Sequence, residues 1–217
     1  MSPPRARLSR NVIVAAAHDL VADGGVAALS LRPLGARLGV TAPALYAHFE
    51  NKEALVAAVA EMEFTRLLEH FEASTDGIAD PIDRIKAQSH AYVRYAVDNP
   101  ALFQILFVFR PSWSPQPDAT ELPIASKAFE VSAVAVEDAI AAGRLRTVDP
   151  LLASLTIWSA VHGVATFLLA RPALGSNFEA ALVDSVIDSI VAGLATPTTA
   201  RRGVTSRPTS RRTKGDR

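Results

Sequence analysis

Cysteine is absent from this 217-residue chain, which excludes disulfides, thiolate metal sites and cysteine nucleophiles. Net charge is absent too, with 22 lysines and arginines against 22 aspartates and glutamates, and taken whole that argues against a nucleic-acid partner. The five histidines, at 18, 48, 70, 90 and 162, form no HExxH or comparable pair with a carboxylate. No glycine-rich phosphate loop occurs either, so neither an enzyme nor a metal or other cofactor is expected. No stretch sustains the period-two alternation of strands, and no repeat recurs at solenoid length. The basic start, MSPPRARLSR, runs into VIVAAAHDLVADGG, where His18, Asp19 and Asp23 interrupt any apolar signal core. A cytoplasmic rather than secreted chain is expected.

What is present is helix. Hydrophobic residues make up 49% of the chain and charged ones 20%, enough to bury a sizeable core. From Asn11, the positions Val12, Ile13, Ala16, Ala17, Leu20 and Val21 recur at helical spacing until Gly24-Gly25 ends the helix. Ser30 then caps a short helix with Leu31, Leu34 and Leu38 inward and Pro33 in its first turn. After Gly39, Thr41 caps a third helix, with Leu45 and Phe49 inward, and Asn51 caps a fourth running to about Ala73. Five more helices are expected near 81–98, 100–110, 120–143, 150–170 and 178–194, with a proline-rich loop at 110–118. The spacing predicts an all-α fold: an N-terminal three-helix helix-turn-helix unit followed by a C-terminal helical bundle.

Charge is unevenly spread along this plan. Residues 1–49 hold five arginines against two aspartates, a net +3, and residues 196–217 hold seven basic residues against Asp216, a net +6. The middle carries the balancing −9. A basic head on an acidic body fits a DNA-reading module joined to something that need not touch DNA. The tail, TPTTARRGVTSRPTSRRTKGDR, has almost no large apolar residues, so a basic disordered end is expected over 196–217, as a solubilising segment or an aid to DNA attachment.

The sharpest signal is LSLRPLGARLGVTAPALYAHFENKE, residues 29–53: two short helices meeting at the Leu38-Gly39-Val40 turn. A helix-turn-helix places its second helix in the major groove of DNA, and this one has small residues leading and polar groups at its sides. The runs Leu29-Ser30-Leu31-Arg32, Leu38-Gly39-Val40, Leu45-Tyr46-Ala47-His48-Phe49 and Asn51-Lys52-Glu53-Ala54-Leu55 resemble the tetracycline-repressor (TetR) family over roughly residues 7–67. The resemblance implies a DNA-binding set of Ser30, Arg32, Thr41, Ala42, Pro43, Ala44, Tyr46, His48 and Lys52. In it Tyr46 and His48 clamp phosphates, Lys52 adds charge beside a helix N-terminus, and Ala42, Pro43 and Ala44 face base edges. Those small side chains can pack on thymine methyls but make no bidentate hydrogen bonds, so direct readout leans on Arg32 and DNA shape.

The TetR resemblance implies that the second half, residues 78–195, binds ligand and dimerises. Trp158, His162 and Gly163 resemble a Trp-His-Gly branch of TetR-family ligand domains over roughly residues 84–193. Candidate pocket residues are Phe103, Phe107, Phe109, Trp113, Trp158 and Phe167 with His162 as the polar group, the alternative for each being plain core. The last helix repeats Phe178, Leu182, Val186, Ile190 and Leu194 at fours, a stripe wider than one intramolecular face needs, and Ser159 and Gly163 permit close approach on the uncharged helix before it. A four-helix seam across a two-fold axis follows. That uncharged stretch also raises a membrane span, opposed by Ser154, Thr156, Ser159, His162 and Thr166 within it and by the lack of a second span. No membrane partner is expected. The expectation is a homodimeric repressor that binds operator DNA, lies with the nucleoid when bound, and is released by a small apolar or aromatic molecule. A DNA-binding factor with no effector is the competing reading.

Overall fold

A computed structural model describes residues 8–106, 122–171 and 174–195. Among these, nine helices form: α1 (Arg10–Ala28), α2 (Leu31–Leu38), α3 (Ala42–Tyr46), α4 (Lys52–Thr75), α5 (Pro81–Asp98), α6 (Pro100–Ile105), α7 (Pro123–Ala141), α8 (Pro150–Leu169) and α9 (Ser176–Leu194). Local chemistry sets most of the starts. The Asn51 side chain accepts from the Ala54 amide at 2.7 Å, Asp80 from Ile82 at 2.8 Å and Asp149 from Leu151 at 2.9 Å. Each satisfies a first-turn donor that has no intrahelical acceptor. Prolines open α5, α6, α7 and α8, where a missing N–H costs nothing.

Two expected boundaries come out differently. Gly25 leaves the helical path with φ 72° and ψ 178°, but another helical turn follows it, so α1 is kinked there and ends at Ala28. The helix expected over 100–110 is described only as Pro100–Ile105. The proline-rich loop, Phe107, Phe109, Trp113 and the basic tail 196–217 lie outside the described residues.

Helices α1–α3 close around a small core in which Ile13, Ala17, Val21, Leu29, Leu34 and Leu45 are completely buried. The turn between α2 and α3 depends on two glycines. Gly39 takes the left-handed conformation, φ 65° and ψ 35°, that an L side chain resists. Gly35, buried inside α2, lets the chain fold back so that its carbonyl accepts from the Val40 amide at 2.9 Å. A Cβ on Gly35 would stand 2.8 Å from the Val40 carbonyl oxygen.

α4 is the shared element. It runs 24 residues, about 36 Å at 1.5 Å per residue, straight through the boundary expected at residue 67, packing on α1 at one end and on α5 and α7 along the other. α5 is the axis of the second half and contacts α4, α6, α7, α8 and α9. α6 reaches back to pack on α1, so the halves also meet directly. Gly35→Val should lower unfolding free energy by about 1–3 kcal/mol, the usual cost of overpacking a tight site. Thermal and denaturant melts of the variant check this, and a wild-type midpoint would remove the close-approach argument.

Candidate functional site

The first surface of interest lies around α2 and α3. Leu45 and Phe49 point into the core, with the Arg10 guanidinium 5.1 Å from the Phe49 ring centroid. This anchoring turns the rest of α3 outward: Tyr46 is 54% exposed, and Arg32, Thr41, Pro43, His48 and Lys52 are exposed as well, while Ala42 and Ala44 are half-buried beside them. Ser30 and Thr41 hold the N-cap positions with extended backbones, yet neither hydroxyl makes the expected capping bond. Capping needs an N–H at the second or third helical position. Pro33 occupies the third position of α2 and Pro43 the second of α3, so one donor is missing from each turn. Arg37, by contrast, is spent: it bonds Asp19 at 3.1 Å and Asp23 at 3.2 Å, tying α2 to α1.

A buried polar cluster lies behind this surface. Glu63 on α4 is 1% exposed. One carboxylate oxygen lies 3.0 Å from His18 Nε2 of α1 and 3.2 Å from Arg66 Nη1, and the other accepts a short hydrogen bond from the Tyr95 hydroxyl of α5. Burial, and then the carboxylate beside it, push the Tyr95 phenol upward, so it stays a proton donor. Sequence periodicity carries no trace of this cluster, because His18 and Tyr95 lie 45 and 32 positions from Glu63.

Next to Glu63, Phe64 begins a cavity of about 250 Å³ between α4, α5, α7 and α8. Phe64, Leu67 and Phe71 of α4 face Tyr92 of α5 and Trp158 of α8 across it. Trp158 stacks on His162, with centroids 5.3 Å apart and planes at 9°; Phe103 packs edge-on to Tyr92 at 5.3 Å and lies 6.1 Å from His162. The structure thus brings together Phe103, Trp158 and His162, with Trp158 in the wall and the other two behind it. Burial lowers the His162 pKa, and its Nδ1 lies 3.1 Å from the Tyr92 hydroxyl. A ring whose Nδ1 carries no proton accepts from the Tyr92 hydroxyl there.

Phe167, expected in the lining, is not there. It follows Trp158 by nine residues, about two and a half turns, so it projects from the opposite face of α8 and is 46% exposed. Tyr92, Phe71 and Phe64 take the place it was expected to fill, and their helical spacing alone reads as ordinary core.

The outward faces of α8 and α9 make a third surface. Ser159, Gly163, Phe167 and Phe178 are exposed there, while Leu182, Val186 and Ile190 lie half-buried against the α9 inner face, where Val183 and Ile187 are buried. α8 has the length and mean hydropathy, 1.6, of a membrane span, but 39% of that window is buried inside the protein.

An exposed short helix after a glycine turn, joined by one long helix to a bundle that encloses an apolar cavity, defines a helix-turn-helix regulator. The chain belongs to the TetR family: residues 13–59 match the model for bacterial regulatory proteins of the tetR family, and residues 85–193 match the tetracyclin repressor-like C-terminal domain. Beyond that C-terminal type, the Trp-His-Gly branch stays a resemblance. The chain is 32% identical over 107 residues to the uncharacterized HTH-type transcriptional regulator YobS of Bacillus subtilis, covering 46% of this chain and 52% of YobS. It is 51% identical over 55 residues to the class A tetracycline repressor of Escherichia coli, covering 25% of this chain and 26% of that repressor. The matches thus span about half and about a quarter of those relatives. A Rhodococcus sp. RHA1 protein of unknown function superposes with a TM-score of 0.76 at 27% identity, covering 90% of this chain and all of that one.

Replacing Glu63 by Leu strips His18, Arg66 and Tyr95 of their common acceptor. Arg66 can turn to water, so the cost is chiefly that of leaving the buried Tyr95 hydroxyl without an acceptor, about 1–3 kcal/mol, and Glu63→Leu should melt below the wild type in a denaturant titration. An unchanged midpoint would show that the cluster holds nothing together.

Proposed function

We propose that this chain is a homodimeric repressor that grips operator DNA through α3 and lets go when a small apolar or aromatic molecule enters the cavity. The observation that carries the DNA reading is the set of uncommitted polar groups on one exposed surface. The Ser30 and Thr41 hydroxyls are left without caps, and Tyr46, His48, Arg32 and Lys52 surround them. Such groups are suited to phosphate oxygens, which position a protein without reading sequence. Ala42, Pro43 and Ala44 are small enough for a close approach to base edges, and Arg32 is the residue best equipped to read one. Operator binding implies a cytoplasmic protein that is nucleoid-associated while bound.

Dimerisation is supported by the uncharged outer face of α8 beside Phe178 of α9. Paired about a two-fold axis, these helices would cover an apolar strip that water now touches, with Gly163 allowing close approach. The two α3 helices then need a separation of about 34–36 Å, one DNA turn. Release follows from α4. Its first turn, at Lys52, lies beside the DNA surface, and Phe64, Leu67 and Phe71 line the cavity further along the same rod. A ligand that prefers a tilted α4 shifts the population away from the spacing that DNA requires, by as much as its affinities for the two states differ. The cavity itself weighs against the effector-free reading, which calls for a filled core.

In competition binding with matched and scrambled duplexes, Arg32→Ala should reduce the preference for the operator, each lost base contact being worth about 1–3 kcal/mol. His48→Ala and Lys52→Ala should weaken both duplexes alike. Equal loss on both duplexes for Arg32→Ala would reverse its assignment, and a wild-type chain indifferent to duplex DNA would end the reading altogether. For the dimer, Gly163→Arg combined with Phe178→Asp should give a monomer in sedimentation velocity with helical content intact. A variant that still sediments as a dimer would place the seam elsewhere.

A further inference from the structure

We infer that the cavity selects a neutral, mainly apolar molecule carrying one hydrogen-bond donor, and that Gln88 reads that donor. This rests on the cavity being the effector site and adds the chemical class of the effector.

The wall is the starting point. Among its described residues there is no lysine, arginine, aspartate, glutamate or histidine. Its serine hydroxyls have given their protons to their own helices: Ser89 to the Ile85 carbonyl at 2.7 Å, Ser154 to Pro150 at 2.8 Å and Ser132 to Ala128 at 3.5 Å. The Tyr92 hydroxyl is paired with His162 Nδ1, and burial pushes its phenol upward, so it brings no negative charge. What remains to face a ligand is a set of oxygen lone pairs and the second amide N–H of Gln88 on an otherwise apolar surface.

Gln88 is the exception in that wall. Its side chain belongs to a residue only 7% exposed, Nε2 donates a single long bond of 3.4 Å to the Val131 carbonyl, and no group among the described residues donates to its Oε1. Oε1 is thus an acceptor that a molecule in the cavity can reach, not one sealed inside the protein. A hydroxyl, phenol or amide N–H on the ligand would supply the missing donor.

Charged ligands fare worse for the same reason. Among the described wall residues a carboxylate would leave water to meet no cation, and an ammonium would meet no anion. A hydrocarbon fills the space but leaves Gln88 as it is, and an ether can accept from the second Nε2–H but leaves Oε1 unmatched. At about 250 Å³ the cavity falls just under the usual range of about 300–1,000 Å³, so a small molecule is selected as well.

The test uses probes of one length with different heads: 1-octanol, octanoate, octylammonium and 1-methoxyheptane, titrated calorimetrically into the full chain at neutral pH and into a preformed protein–operator complex. Octanol should bind at least about tenfold tighter than the other three, a difference of about 1.4 kcal/mol. Gln88→Leu should abolish the advantage of octanol over the ether. Octanoate or octylammonium binding as well as octanol would overturn the inference, and so would an octanol advantage that survives Gln88→Leu. Should Gln88→Leu fail to fold, the ranking of the four heads on the wild type still decides the class. Octanol that binds with the expected preference but leaves the operator complex intact would sink the release reading and keep the ligand class. Binding by none of the four would overturn both.

Discussion

The arrangement of both halves depends on keeping the Glu63 carboxylate satisfied. A carboxylate withdrawn from water is tolerated only when it is paired and hydrogen-bonded, and Glu63 draws its partners from three helices: His18 of α1, Arg66 of α4 and Tyr95 of α5. Apolar contacts can slide by an ångström and lose little, whereas a hydrogen bond weakens steeply with distance and angle. The cluster therefore fixes what the hydrophobic core alone would leave adjustable, the position of α1 relative to α5. Since α1 supports the helix-turn-helix and α5 forms a wall of the cavity, the two working surfaces share one internal reference point. Phe64, the next residue along α4, already belongs to the cavity.

A second constraint acts at the exposed end. A five-residue helix such as α3 has almost no stability of its own, because its nucleus is as costly as that of a long helix and little propagation follows. It persists because Leu45 and Phe49 anchor it from below and because Gly35 and Gly39 allow α2 to approach closely from the side. Stability thus comes from the buried face, and the outer face is free of structural duty. Pro33 and Pro43 extend the same division of labour by each removing one of the two donors that could engage Ser30 or Thr41.

The elements were legible where the chain punctuates itself. Asn51, Pro81, Pro100 and Pro150 mark helix starts by local rules, and the starts fall beside them. Glycine at 39 reads just as plainly, since a left-handed exit is a local requirement. Gly35 does not, because its role arises from a carbonyl five residues on that comes near only after the turn has formed. Glu63 and Gln88 escape for a related reason: each is a single polar residue on an amphipathic helix, and only the packed structure says that it faces inward. Phe167 illustrates the opposite error. On a helix apolar all round there is no polar side to subtract, so sequence offers no means of telling the cavity face from the outer one.

That ambiguity in α8 has a structural cause. Trp158 and the adjacent His162 face the aromatic cluster, whereas Ser159, Gly163 and Phe167 face out beside α9. The hydroxyls of Thr156 and Thr166 on the exposed side are turned onto the helix's own carbonyls, at 2.8 Å from Leu152 and 3.0 Å from His162. A threonine that has satisfied its hydroxyl internally presents mostly its methyl group, so the outer face behaves as an apolar surface despite its polar composition. A membrane span and a helix buried on both sides by protein demand the same thing, that backbone and hydroxyl groups be satisfied without water. α8 meets that demand, which is why its hydropathy alone imitates a span. The protein-buried share of the helix, with Trp158 in a cavity wall and Phe178 continuing the outer strip from a second helix, favours the protein-covered alternative. On one rigid rod, a displacement at the cavity face is carried directly to the face proposed to meet a second copy.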